Sequence, residues 1–260
     1  MLAKLTGAAL AAALASTAST CSPTPTPDPE ARTETTAMSN PTPPTPTIAP
    51  LAEKTSGALD YADKTGAPNP DADLAFPEGT PRAEAVLAGG CFWCVEAVYE
   101  QLTGILDAES GYAGGSAETA KYELVSRGNT GHAEAVRIVY DPAAISYGQI
   151  LKVFFTVAHD PTQKNRQGPD VGPQYRSAVF YANDQEKQVA EAYIRKLNES
   201  GHFDKPLATT LEPLEAFYPA EGYHQDYARN NPAQPYIVFQ ARPKVEKVRE
   251  KFPDALKSGS

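Results

Sequence analysis

Residues 89–94 read Gly-Gly-Cys-Phe-Trp-Cys, and they constrain this chain more than any other segment. They hold two of the three cysteines and the single tryptophan in 260 residues. Two thiols separated by two residues can cycle between a dithiol and a disulfide. The aromatic pair between them indicates that the same site also binds an apolar group.

The residues around this motif predict a strand, a sharp turn and a helix. Ala83–Ala88 is a short apolar run that ends at two glycines, which is typical of a strand followed by a turn. From Phe92 to Leu102 the apolar residues recur with a helical period. Cys91 is therefore expected at a helix N-terminus, where unpaired amides and the helix dipole stabilise a thiolate and lower the thiol pKa.

Later residues extend this pattern into a complete domain. Strands are predicted over 105–112, 133–140 and 177–181, with a further candidate strand at 209–214. Helices are predicted over 118–126, after Ser146, and from Asp184 to about Asn198. The repeated order strand-helix-strand predicts an α/β fold of the α+β two-layer type. It would have a ferredoxin-like split βαβ core, a mixed or antiparallel sheet and extended irregular C-terminal wrapping.

Composition divides the chain into four parts. Residues 1–20 carry Lys4 and then an Ala/Leu-rich run too short to span a bilayer, which predicts an export signal. Residues 21–80 are acidic and rich in Pro and Thr, which predicts a largely disordered linker, although 51–80 could also drape over the domain. Residues 81–240 should form the catalytic domain, and residues 241–260 a tail or short helix. We expect no second membrane segment.

Cys21 directly follows the predicted signal and resembles the lipid attachment site of bacterial lipoproteins. Ala18 and Thr20 stand where Leu and a small residue are usual, so a soluble exported protein is an equal alternative. Either outcome predicts the periplasm or the cell envelope, with a lipid anchor in the first case. The mildly acidic domain lacks the basic surface that nucleic-acid binding needs, so no nucleic-acid partner is expected.

Four roles are open to the Cys91–Cys94 pair. A structural zinc site needs four ligands, and the domain offers no third cysteine and only widely spaced histidines. A structural disulfide across so small a loop would remove little entropy from the unfolded chain. Two inert core cysteines are the third reading. Tight bridges of this spacing are usually reducible and catalytic, so a redox or nucleophilic role is favoured, with no metal site.

Several longer motifs, taken together, resemble the A-type peptide-methionine sulfoxide reductase family over residues 83–237. The match begins with Gly-Cys-Phe-Trp at 90–93 and Gly-His-Ala-Glu-Ala-Val at 131–136. It continues with Ser-Gly-Tyr-Ala-Gly-Gly at 110–115, Tyr-Asp-Pro at 140–142, His-Asp-Pro-Thr at 159–162, Gln-Tyr-Arg-Ser-Ala at 174–178 and Tyr-His-Gln-Asp-Tyr at 223–227. The resemblance implies reduction of methionine S-sulfoxide, free or in proteins, to methionine.

The resemblance also implies a role for each site residue. Cys91 attacks the sulfoxide sulfur, and Glu134 donates a proton to the departing oxygen, because burial should raise its pKa and keep it protonated. Cys94, as in the CFWC subgroup, resolves the sulfenic acid on Cys91, and a thioredoxin-like donor reduces the disulfide. No cofactor is implied, and a monomer is expected. The family assigns Tyr122 and Tyr175 to the sulfoxide oxygen, and Phe92, Trp93 and Asp170 to the substrate pocket.

Two other functions stay open from the sequence. A general thiol-disulfide oxidoreductase of the cell envelope would also use two cysteines at a helix start, but it leaves Glu134 and the tyrosines unexplained. A surface lipoprotein without enzymatic activity would use the Pro/Thr segment as a stalk for a peptide-binding head.

Overall fold

The computed structural model describes residues 45–50 and 63–258. Its first elements are β1 (Thr47–Pro50), β2 (Ala72–Ala75), β3 (Ala83–Gly89), α1 (Phe92–Tyr99), β4 (Ile105–Ala113), α2 (Tyr122–Val125), β5 (Ala133–Tyr140) and α3 (Tyr147–Val153). The later elements are β6 (Arg166–Gln167), β7 (Asp170–Val171), β8 (Ser177–Tyr181), α4 (Asp184–Ser200), β9 (Thr210–Pro213), β10 (Phe217–Pro219), α5 (Tyr227–Asn230) and α6 (Arg242–Lys251). Two π-helical turns, Phe154–Ala158 and Ile237–Ala241, follow α3 and precede α6.

The main sheet has six strands in the order β10-β4-β5-β3-β8-β9. All neighbours are antiparallel except β8 and β9, which are parallel. Its four central strands, β4-β5-β3-β8, have the order that two split βαβ units produce. The predicted ferredoxin-like core with a mixed sheet is confirmed.

Side-chain alternation along β5 separates two faces of this sheet. Val136, Ile138 and Tyr140 lie in the main core, where α1, α3 and α4 cover the sheet. Ala133 and Ala135 belong to a smaller cluster on the opposite face. Because side chains alternate with a period of two, Glu134 lies on the helix-covered face, directly beneath the start of α1.

The predicted start of α3 is confirmed by a reciprocal cap. The Ser146 hydroxyl accepts a hydrogen bond from the Gln149 amide at 3.2 Å, and the Gln149 side chain accepts one from the Ser146 amide at 2.9 Å. This capping box satisfies two amides that the helix itself leaves unpaired. It fixes the point from which α3 and the following π-helical turn run beneath the sheet.

The described residues of the predicted linker are 45–50, where β1 pairs with β2, and 63–80, which pack on the domain, as one of the two alternatives for 51–80 predicted. The buried carboxylate of Asp73 accepts hydrogen bonds from the amides of Gly148 and Leu74, both at 2.8 Å, and from the Ser146 hydroxyl. Lys152 pairs with Asp63 at 2.5 Å. The acidic residues that favoured disorder in the sequence are the ones that tie this segment to α3, so the folded part begins before residue 81.

The C-terminal residues also belong to the fold. Val248 in α6 and the following Phe252 and Ala255 are buried in the main core. Leu256 forms an isolated bridge with Leu102 just after α1. Residues 242–258 therefore pack against the helix that begins at the cysteine motif, where the sequence predicted a tail or short helix.

Three features predicted for the N-terminal part lie outside the described residues: the export signal, Cys21 and most of the Pro/Thr-rich segment. Within residues 45–50 and 63–258, none of the helices has the length and apolar character needed to cross a membrane.

Candidate active site

Cys91 stands at the N-cap of α1, between the end of β3 and the first helical turn. Its carbonyl accepts the amides of Cys94 at 3.1 Å and Val95 at 3.4 Å, which closes that turn. Gly90 before it has φ +87°, and a side chain there would meet Gln167 Cβ at 2.4 Å. The glycine is required because it lets the β6–β7 hairpin approach the cysteine closely.

The two thiols are buried and free of any disulfide in this structure. Cys91 is 7% exposed and Cys94 is 1% exposed. Burial raises the pKa of Cys91 well above its ordinary value, and the neighbouring Cys94 raises it further. The hydrogen bond from Cys91 lowers the pKa of Cys94 to about 7. The pKa of Cys91 is therefore raised, where the sequence predicted a lowered value, because burial outweighs the helix dipole at this thiol.

Glu134 lies beneath the helix start, on the helix-covered face of β5. Its Oε2 accepts a hydrogen bond from the Phe92 amide at 3.1 Å, and the side chain is 2% exposed. Burial raises the pKa of this carboxyl to about 8, and the charges of Asp170 and Cys94 act in the same direction. A carboxyl with this pKa is protonated at neutral pH and can donate a proton beside the cysteines.

Tyr175, Tyr122 and Asp170 come from three separate segments to the same site. Tyr175 ends the short 3-10 helix Pro173–Tyr175, and burial raises its pKa. The charges of Glu134, Tyr122, Asp170 and Cys91 add to that shift. Charges influence one another in this way over short distances, so the predicted phenols, acid and nucleophile lie in one cluster, and the raised pKa keeps the Tyr175 phenol protonated and able to donate to an oxygen.

Phe92 and Trp93 are almost fully buried, so both are core residues as well as neighbours of the thiols. The Trp93 indole stacks on Tyr227 at 3.8 Å between ring centroids, and its Nε1 donates to His224 Nδ1 at 3.2 Å. The Phe92 ring centroid lies 5.0 Å from that of His224. These contacts fix both aromatic rings in orientation and make an apolar wall beside Cys91.

His224 and Glu221 connect this wall to Tyr122. Burial lowers the pKa of His224 to about 4, so the ring is neutral and can accept the indole N–H. Its centroid lies 4.4 Å from that of Tyr122. Glu221 accepts the Tyr122 amide at 2.9 Å and the Tyr112 hydroxyl at 2.8 Å.

The sequence reasoning assigned no role to Tyr236, Lys244, His224, Glu221 or Tyr227. Two of them, His224 and Tyr227, lie in the motif at residues 223–227, which matched the family pattern but had been given no role. Tyr236 had no comparable signal, because its position depends on how the C-terminal segment wraps over α1. Its hydroxyl donates a hydrogen bond to Asp170 Oδ2, and its ring meets Trp93 edge-on at 6.0 Å.

Fold and site together define a thiol-based reductase, with two cysteines at a helix start, a protonated carboxyl beneath them and phenols around them. A family model for peptide methionine sulfoxide reductase matches residues 83–256. The chain belongs to this family.

Individual relatives agree with the family match. A Synechocystis protein named peptide methionine sulfoxide reductase MsrA 2 is 51% identical over 195 residues, which are 74% of this chain and 91% of the relative. A Natronomonas pharaonis protein named peptide methionine sulfoxide reductase MsrA is 53% identical over 176 residues, covering 68% and 98%. The crystal structure of Mxr1 from Saccharomyces cerevisiae in reduced form matches with a TM-score of 0.54 at 35% identity. That match covers 60% of this chain and 89% of the yeast chain.

Proposed function

We propose that this protein reduces methionine S-sulfoxide, free or in proteins, to methionine, with Cys91 as the nucleophile. The observation that carries the proposal is the buried carboxyl of Glu134, hydrogen-bonded to the amide directly after Cys91. Reducing a sulfoxide requires a sulfur nucleophile and a proton donor for the oxygen, and these residues supply both. A site for disulfide exchange alone would not need a protonated carboxyl at this place.

In the first step, the Cys91 sulfur bonds to the sulfoxide sulfur while the S–O bond weakens. Glu134 gives a proton to the oxygen, and the phenols of Tyr122 and Tyr175 donate hydrogen bonds to it. The oxygen ends on Cys91 as a sulfenic acid, and methionine leaves. The proton that Cys91 loses replaces the one given by Glu134, so the step needs no net proton. The Phe92 and Trp93 rings hold the S-methyl group and orient the sulfur, with Asp170 at the polar side of the pocket.

In the second step, Cys94 resolves the sulfenic acid. Its sulfur attacks the Cys91 sulfur, the disulfide forms and the hydroxide leaves as water after taking a proton. The low pKa of Cys94, about 7, supports this role because the thiolate is the attacking form. To bring the two sulfurs into bonding distance, the first turn of α1 must flex.

A thioredoxin-like dithiol protein is the proposed electron donor. The chain has three cysteines, and the third, Cys21, precedes Cys91 by seventy residues in the sequence. The Cys91–Cys94 disulfide therefore needs an outside dithiol to return to its reduced form. No flavin, nicotinamide or metal takes part in this scheme.

The surface beside the site supports protein-bound substrates. Val171 follows Asp170 and is 67% exposed, and Phe239 lies three residues after Tyr236 and is 73% exposed. The hydrogen bond between Tyr236 and Asp170 joins the two segments that carry these apolar residues. Apolar residues next to an oxidised methionine in an unfolded segment could pack there.

We also propose that the protein is exported to the periplasm or cell envelope, acts as a monomer, and is anchored by lipid on Cys21. The apolar run in residues 1–20 and the cysteine that follows it support this location. Mass spectrometry of the mature N-terminus from membrane and soluble fractions tests it. A mature chain that starts with acylated Cys21 supports the anchor, and a free N-terminus after another cleavage site contradicts it.

Methionine formation from methionine S-sulfoxide with dithiothreitol tests the proposed activity. The wild-type chain and Cys21→Ser should form methionine, and Cys91→Ser should form none. Cys94→Ser should give one equivalent without reductant but fail to turn over with thioredoxin. Methionine formation by Cys91→Ser would contradict the proposal, and reduction of protein disulfides without any sulfoxide reduction would support the general thiol-disulfide oxidoreductase.

A further inference from the structure

Glu96 is a buried carboxyl in α1 to which the proposed reaction gives no role. It lies one helical turn after Trp93 and is 2% exposed. Its Oε1 accepts the backbone amide of Asp226 at 2.6 Å, and its Oε2 accepts the hydroxyl of Ser110 on β4. The side chain therefore joins three elements: the helix that begins at the cysteines, a strand of the main sheet, and the turn that leads into α5.

The turn at Asp226 shapes the apolar wall beside Cys91. Its φ of +54° lies in the left-handed region, which residues other than glycine adopt infrequently. Asp226 stands between His224 and Tyr227, and both of these contact Trp93: the indole donates to the first and stacks on the second. The group that holds the Asp226 amide therefore helps to set where Tyr227 meets the indole.

The other polar contacts of this turn do not replace the one from Glu96. Arg229 pairs with Glu100 at 3.2 Å and with Asp226 at 2.6 Å, but its side chain is 63% exposed, and exposed ion pairs contribute little. The Gln225 side chain bonds to the backbone of β4 at 3.0 and 2.9 Å, which ties the turn to the sheet and not to α1. A buried amide without its acceptor costs the full free energy of its desolvation, so the bond from Asp226 to Glu96 is the consequential one.

Glu96 can accept this amide in either protonation state. Burial raises its pKa to about 7, against the hydrogen bonds from Ser110 and Asp226, which lower it. The charge of Glu100 also raises it. Both the ionised and the protonated carboxyl keep an accepting oxygen. A glutamine has one accepting oxygen and an amide that can donate to the Ser110 hydroxyl, so it should replace Glu96, and an alanine should not.

We propose that Glu96 is a positioning residue, which holds the Asp226 amide and thereby keeps the apolar wall in place for the S-methyl group of methionine sulfoxide. The inference rests on the proposed function, since it takes its substrate from there. Because Glu96 acts through the stack of Tyr227 on Trp93, its loss should weaken substrate binding more than it slows the chemical step.

Single-turnover kinetics and Trp93 fluorescence of Glu96→Ala and Glu96→Gln test this role. Trp93 is the single tryptophan of the chain, so its emission reports on the wall without any substrate. Reduced protein is mixed with increasing concentrations of methionine S-sulfoxide without reductant, under conditions where urea unfolding shows each variant to be folded. The rate of methionine formation gives a half-saturating concentration and a limiting rate.

Glu186→Ala is the matched control. Glu186 is also a buried glutamate in a helix, and its Oε2 accepts the backbone amide of Ala182 at 2.8 Å, just before α4. Its substitution therefore removes a comparable buried acceptor without touching the turn at Asp226.

We expect Glu96→Ala to raise the half-saturating concentration about tenfold and to keep the limiting rate within about threefold of wild type, the pattern for lost binding rather than lost chemistry. Its Trp93 emission should move to longer wavelength as the indole loses the Tyr227 stack and meets water. Glu96→Gln should stay within about threefold of wild type in half-saturating concentration, because one hydrogen-bond acceptor is kept. Glu186→Ala should lower the urea midpoint and leave half-saturation and emission unchanged.

An unchanged half-saturating concentration and emission in Glu96→Ala would overturn the inference, because the residue would then serve stability alone. A Glu96→Gln variant as impaired as Glu96→Ala would also overturn it. If Glu96→Ala does not fold, Ser110→Ala frees the other oxygen of Glu96 and should raise half-saturation and shift the emission in the same direction; unchanged values there would overturn the inference. Absence of methionine formation in the wild-type protein would instead refute the proposed function, while the emission would still report on the wall.

Discussion

Above pH 5, the Glu134→Gln variant should be more stable than the wild-type protein, although it lacks the carboxyl that donates the proton in the proposed reaction. The glutamine side chain keeps an oxygen that can accept the hydrogen bond from the Phe92 backbone amide, which Glu134 accepts at 3.1 Å. The substitution also removes a buried carboxyl whose ionisation costs free energy. The pKa of Glu134 rises from 4.5 to about 8 on folding because the side chain is buried. Below pH 4.5 the carboxyl is protonated in both states, so the fold loses nothing. As pH rises from 4.5 to 8, the unfolded state releases the proton and the folded state keeps it, so wild-type stability falls.

The size of this effect follows from the interval between the two pKa values. At pH 7 it corresponds to about 3 kcal/mol, and above pH 8 it levels off at roughly 5 kcal/mol. For a domain of this size, 3 kcal/mol shifts the melting temperature by on the order of 10 °C. Urea unfolding of the reduced proteins at pH 5, 7 and 8.5 measures it, with the exposed Glu84→Gln as control.

The difference in free energy of unfolding between Glu134→Gln and wild type should grow with pH. The same difference for Glu84→Gln should change by less than about 0.5 kcal/mol over this pH range. A difference for Glu134→Gln that is the same at pH 5 and pH 8.5 would refute the raised pKa, and with it the proton-donor role.

Three further predictions concern the two steps, the aromatic wall and the N-terminal segment. In stopped-flow assays, the methionine-forming step should slow as pH rises through about 8, because Glu134 loses its proton there. Disulfide formation should speed up as pH rises through about 7, because the dithiol first ionises there. The same pH profile for both steps would contradict these assignments. Trp93→Phe should lower the free energy of unfolding by about 1–3 kcal/mol, because His224 Nδ1 loses its 3.2 Å donor inside the core; an unchanged urea midpoint would show that the bond is not needed. Asp73→Ala should release residues 63–80 from α3 and expose them to limited proteolysis, since three donors lose their acceptor; continued protection would mean that other contacts hold the segment.

The fold could be predicted wherever local periodicity and tertiary packing agree. The sequence predicted the strand at 133–140 that carries Glu134, and Ser146 marked the start of α3. For residues 63–80 the sequence left two alternatives open, and they pack on the domain because Asp73 accepts hydrogen bonds from Ser146 and Gly148 at the start of α3, which are distant in the sequence, and from its neighbour Leu74. Composition records that such a segment is polar, but it does not record which groups the polar side chains will meet.

The sequence was enough to name residues of the candidate site, but it was not enough to predict how the two thiols ionise. The cysteine spacing and the motif resemblance named residues that the structure brings together. Burial raises the pKa of Cys91, and the lowered pKa of Cys94 depends mainly on its hydrogen bond with Cys91 and less on Lys244 and Tyr236. Lys244 and Tyr236 come from the C-terminal segment, whose path across α1 leaves no periodic signal.

The bond that forms in one turnover tests the central claim most directly. Reduced protein is mixed with excess methionine S-sulfoxide without any reductant, alkylated, digested and mapped by mass spectrometry. The account predicts one methionine per chain, a peptide cross-linked between Cys91 and Cys94, and a Cys21 that takes part in no cross-link. Methionine formation that leaves Cys94 free to be alkylated, or a disulfide that includes Cys21, would contradict it.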